Sequence, residues 1–90
     1  MPMVQNGEFI AILGSVHKAI KAETLLKEQK LPIMLIPAPR SVSSDCGLAI
    51  RYSADNSEKI LNFLKEYDCN PQQIYIKNGE QFDLVYKGDI

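Results

Sequence analysis

Apolar and polar positions alternate along this chain in blocks that predict an ordered series of strands and helices. Glu8 to Leu13 (EFIAIL) is a short apolar run closed by Gly14, which predicts a first strand. Ser15 then offers a hydroxyl suited to an N-cap. Val16, Ala19, Ala22, Leu25 and Leu26 keep helical spacing, with Lys18, Lys21, Glu23, Lys27 and Glu28 on the other side, so a helix is predicted over about Val16 to Gln29. Pro32 opens a second apolar run, Ile33 to Ile36. Pro37 and Pro39 end it, because proline cannot donate to a central ladder.

A polar, serine-rich loop follows from Arg40 to Asp45, and Gly47 to Tyr52 (GLAIRY) predicts the third strand. Asp55 and Glu58 have the spacing of a capping box with Asp in the Ser/Thr place. Ile60, Leu61, Leu64 and Tyr67 mark the apolar face of a second helix, which Asn70-Pro71 breaks. Gln73 to Lys77 alternates and predicts a fourth strand. Asn78-Gly79 is a turn signal, so Phe82 to Lys87 is expected to return as a fifth strand in a hairpin.

The predicted order is β-α-β-β-α-β with one more strand at the C-terminus. That order is the split βαβ pattern of an α+β, ferredoxin-like two-layer sandwich. A small two-layer α/β sandwich with another strand order is the alternative. Residues 1–7 carry no such pattern and are expected to form a flexible tail, with residues 8–90 as one domain.

Composition agrees with a globular domain. The chain has 90 residues, 46% hydrophobic and 23% charged, enough for one modest core. A net charge of −1, with no cluster of Lys and Arg, argues against a nucleic acid or an anionic membrane as partner. No apolar run reaches membrane-spanning length, and Glu8 rather than a basic residue precedes the run Phe9 to Leu13. A cytoplasmic location is expected. Two cysteines and one histidine, with no CxxC, are too few for a metal centre, so neither a metal nor another cofactor is expected.

The expected topology has a chemical consequence. Each crossover helix joins parallel strands, and the third strand runs back between the first two. The helix start at Ser15 and His17, the turn at Arg40, and the strand entry at Ser43, Ser44, Cys46 and Gly47 therefore belong at one end of the sheet. Cys69, at the end of the second helix, is placed toward the same edge. A free thiol titrates near pH ~8.5, and a helix N-terminus or a nearby cation lowers this. Unpaired N–H groups at the helix start also favour an anion.

Each of these residues has a second reading. Cys46 is either a reactive thiol or a small buried hydrophobe. His17 is a polar surface residue or a proton donor to sulfur. Arg40 is a solvated charge or an anion ligand. Ser43 and Ser44 bind their own backbone in turns or line the site. Cys69 is a structural residue at a helix end or a resolving thiol.

Three motifs in order extend the picture. Ser15-Val16-His17 begins the first helix, Pro37-Ala38-Pro39-Arg40 ends the second strand, and Ser43-Ser44-Asp45-Cys46-Gly47 enters the third. Over about Glu8 to Tyr75 the chain resembles the selenium/sulfur carrier-like family of small bacterial domains. It departs from that family at Ala38, where threonine is frequent, and at Lys30, where glycine commonly ends the first helix. The resemblance implies a carrier or transfer protein rather than a classical enzyme. Cys46 would hold sulfur or selenium as a persulfide or selenopersulfide, received from a cysteine desulfurase-type donor and passed to an acceptor enzyme. Arg40 and the helix start would stabilise the anionic sulfur, and His17 would shuttle a proton. The alternative is a small-anion binding or dimerisation module with an incidental thiol. A homodimer through the C-terminal edge strand is compatible with either.

Overall fold

The structure, a computed structural model, describes residues 4–39, 42 and 47–88. Its elements are β1 (Phe9–Ile12), α1 (Val16–Glu28), β2 (Ile33–Pro37), β3 (Leu48–Tyr52), a 3-10 turn (Ala54–Asn56), α2 (Ser57–Glu66), β4 (Gln73–Asn78) and β5 (Gln81–Lys87). The five strands form one antiparallel sheet in the order β2-β3-β1-β4-β5. The architecture is α+β, with two helices and a five-stranded antiparallel sheet. The first and third strands are neighbours, as expected, and β5 widens the sheet beyond β4.

The position of β1 explains its unbroken apolar sequence. It lies between β3 and β4, which pair both of its edges, and an apolar cluster covers each of its faces. Ala11 joins Ile50, Tyr52 and Ile74 under Ala19, Ala22 and Leu26 of α1 and Ile60 and Leu64 of α2. Ile10 and Ile12 point the other way and form a second cluster with Ile36, Ala49 and Val4. The sheet is thus apolar on both sides, with the helices on one of them.

That second cluster includes part of the segment expected as a flexible tail. Val4 is 4% exposed. The Asn6 side-chain oxygen accepts from the Gly79 amide at 2.9 Å, and the Gly7 amide donates to the Lys77 carbonyl at 2.8 Å. Residues 4–7 are therefore stitched to the β4–β5 hairpin, because Val4 covers apolar surface that the helices leave bare.

Three further expectations change at helix ends. The α2 N-cap is Asn56, without a side-chain cap bond, and Asp55 lies inside the preceding 3-10 turn. The tight turn places Asp55 one residue too early to act as the cap. Val16 is 46% exposed rather than part of the α1 stripe, since Ala19 is the first α1 residue to reach the sheet. Tyr67 is likewise exposed as the C-cap residue of α2, packed on Phe63 with ring centroids 4.5 Å apart.

Candidate functional site

Strand register defines the end of the sheet where the candidate residues gather. Ile12 pairs with Ala49 on one side and with Gln73 on the other, and Pro37 pairs with Leu48. The ends of β1 and β2 and the starts of β3 and β4 therefore lie together. Ser15 begins α1 at this end. Its hydroxyl accepts from the Lys18 amide at 3.1 Å, and its own backbone is extended, as a helix N-cap requires. His17 follows in the first turn and is exposed. The first amides of an α-helix have no intrahelical acceptor, so this end offers N–H donors and the positive end of the helix dipole.

Gly47 stands at the same end, one residue before β3. Its carbonyl accepts from the Ala38 amide at 3.1 Å, which fixes where segment 39–46 leaves and rejoins the sheet. Gly47 is exposed, and a Cβ built there would meet nothing within 4 Å. Arg40, Ser43, Ser44 and Cys46 lie outside the described residues. Val42 donates its amide to the Pro39 carbonyl at 3.1 Å and packs on the cluster around Ile10 and Ile12, on the face opposite the helices.

Cys69 has a different environment. It is 1% exposed within the helix–sheet core, with its Sγ 3.6 Å from the Tyr67 carbonyl oxygen. This is the packing of a structural residue. Among the described residues, no group of three or more His, Cys, Asp or Glu is arranged to hold a metal ion. No helix among them is long and apolar enough to cross a membrane.

Comparison with known proteins bears directly on this end of the sheet. Residues 8–76 match the family described as "Putative Se/S carrier protein-like". The chain belongs to this family. The match runs from the entry of β1 into β4, so the Se/S carrier-like region holds the Ser15 helix start, the 38–47 junction and both helices, and leaves β5 outside. The family suggested by the three sequence motifs is thereby borne out. A curated relative from Aquifex aeolicus (strain VF5), named "Putative sulfur carrier protein", is 25% identical over 87 residues, which are 94% of this chain and 44% of that protein. The chain spans less than half the length of that relative. Comparison with solved structures finds no match.

The structure also brings together polar residues that no sequence motif marks. A cleft of about 450 Å³ opens at the sheet end where β4 begins, lined by Lys18, Asp68, Asn70, Gln72, Gln73 and Lys87 with Pro71 and Gly88. These come from α1, the α2–β4 connection and the end of β5. Residues so far apart in the chain leave no local signature. The nearest signal was Gly14, whose φ of +92° belongs to the left-handed region and whose missing Cβ leaves room for the Gln72 side chain, 2.6 Å from where it would lie.

Proposed function

We propose that this Se/S carrier-like protein holds a sulfur or selenium atom on Cys46 as a persulfide or selenopersulfide. It takes the atom from a cysteine desulfurase-type donor and hands it to an acceptor enzyme. The burial of Cys69 in the core carries the assignment within the family, because it leaves Cys46 as the remaining thiol of the two in the chain. Thiols that must stay free persist in the reducing cytoplasm, which is where this reading places the protein.

The transfer balances without an external oxidant. The Cys46 thiolate attacks the terminal sulfur of the donor persulfide. A new S–S bond forms on Cys46, the donor's S–S bond breaks, and the donor cysteine leaves as a thiolate. The attacking group must be a thiolate, so positive potential beside it assists. Arg40 and the α1 start at Ser15 supply that potential in this reading. Ser43 and Ser44 donate hydrogen bonds, Gly47 leaves the sulfur accessible, and exposed His17 returns a proton to a departing sulfur. The run β2-β3-β1-β4 within the sheet supports taking the scaffold as a ferredoxin-like sandwich widened by β5.

Intact-protein mass spectrometry after incubation with a desulfurase and cysteine tests the proposal. One sulfur is expected on the wild type and on Cys69→Ser, and none on Cys46→Ser. An unmodified wild type, or an adduct that survives Cys46→Ser, removes Cys46 carriage.

A homodimer through β5 accompanies this reading. Among the described residues β5 is the outermost strand of the sheet on its side, with Leu84 50% and Val85 49% exposed. Sedimentation at increasing concentration is expected to show a dimer that Leu84→Lys weakens. A strictly monomeric wild type rules it out.

A further inference from the structure

We propose that the cleft between Lys18 and Lys87 binds a small zwitterion of the α-amino-acid class, its carboxylate held by the two lysines and its ammonium by Asp68. The cleft lies at the same end of the sheet as Gly47, but the inference stands on its own residues and does not require carriage on Cys46.

Size and rigidity come first. About 450 Å³ is within the usual range for a small-molecule site, roughly 300–1,000 Å³. Its walls are tied to the sheet. The Gln72 amide donates to the Ile12 carbonyl at 2.7 Å, and the Gly88 amide donates to the Gln72 carbonyl at 2.9 Å. Pro71 is buried beneath, and a Cβ on Gly88 would stand 2.5 Å from the Pro71 carbonyl oxygen. The end of β5 is therefore pressed against the α2–β4 connection, and the cleft has a fixed floor.

The polar lining is uncommitted. The ion pairs described join Lys27 to Glu23 and Arg51 to Glu8, and neither involves the cleft. Lys18, Asp68 and Lys87 share one cavity without pairing with one another, and the side chains of Asn70, Gln72 and Gln73 make no hydrogen bond to any described residue. Two cations and one anion that face a common space without neutralising each other suit a ligand that bears both charges. A carboxylate alone would leave Asp68 opposed to its own sign, and an amine alone would be repelled by both lysines. The three carboxamides offer donors and acceptors in equal measure, which favours an amino acid with a polar, uncharged side chain.

NMR titration of the full chain with L-serine tests this, with propionate, ethylamine and inorganic phosphate as single-charge controls. Saturable shifts are expected at the amides of Asn70, Gln73 and Gly88, and each control should bind at least tenfold more weakly. Lys18→Ala/Lys87→Ala and Asp68→Asn should each weaken serine binding at least tenfold while leaving the remaining amide spectrum in place. Cys46→Ser should bind serine as the wild type does, so failure of the carrier reading leaves this one intact. The proposal is overturned by the absence of saturable shifts through the millimolar range. Unchanged affinity in the lysine or Asp68 variants, or phosphate or propionate binding as tightly as serine, overturns it equally.

Discussion

The Ala38 amide donates to the Gly47 carbonyl across 3.1 Å, one step beyond the last ladder pair of β2 and β3, Pro37 with Leu48. This bond anchors both roots of the segment that contains Cys46, so the residue next to the proposed carrier thiol has a fixed backbone position. Gly47 itself is open: a Cβ there meets nothing within 4 Å, and its φ lies outside the left-handed region. Gly47→Ala is therefore expected to leave stability unchanged or raise it by up to about 1 kcal/mol through the unfolded chain. Urea denaturation checks this. A loss of more than about 1 kcal/mol would show that Gly47 needs freedom the geometry does not reveal.

Lys30 and Asp68 occupy the same special position at the ends of the two helices. Their φ angles are 60° and 59°. Beyond each, an amide reaches back to a helix carbonyl, Leu31 to Leu26 at 3.1 Å and Cys69 to Leu64 at 2.8 Å. This is the left-handed C-terminal closure that favours glycine. Lys30→Gly should raise stability by roughly 0.5–1 kcal/mol, because it relieves the Cβ contact that an L-residue suffers there. A higher thermal midpoint is the expected observation. An unchanged or lower one would mean that the Lys30 side chain has a stabilising contact of similar size.

Tyr52 connects stability to alkaline pH. It is 2% exposed, stacks on Phe9 with centroids 5.7 Å apart, and burial pushes its phenol well above the ordinary value of 10.0. The folded protein thus keeps this proton at a pH where the unfolded chain has released it. Stability is unaffected below about pH 10 and falls above it by about 1.4 kcal/mol per pH unit from this group. The hydroxyl makes no hydrogen bond to a described residue, so Tyr52→Phe should fold with similar stability at neutral pH and lack this part of the alkaline loss. Denaturation of both proteins at neutral pH and near pH ~11 isolates the effect. Parallel losses in the two would remove Tyr52 as the source.

Much of the fold was legible because side-chain periodicity is local. Ser15 as the N-cap and the Ala19, Ala22, Leu26 stripe define α1, and the structure starts the helix at Val16 as expected. The apolar run from Glu8 to Leu13 predicted a strand, and the structure adds that it is buried on both faces. The adjacency of β1 and β3 followed from crossover rules and is present in the register Ile12 with Ala49. The cap of α2 was misplaced because a 3-10 turn and an α-helix start share the same polar signals, and only hydrogen-bond spacing separates them. Of the candidate site, Ser15, His17 and Gly47 are found at one end of the sheet, while Arg40, Ser43, Ser44 and Cys46 lie outside the described residues.

The sequence by itself determined the order of elements and the family, since each depends on neighbouring residues or on motifs in fixed order. Tertiary structure decided the rest. It showed that Cys69 is packed in the core, that Val4 covers the face the helices leave open, and that Lys18, Asp68 and Lys87 share one cleft. Burial and charge proximity arise between residues tens of positions apart, so no local pattern records them until the sheet has brought those segments together.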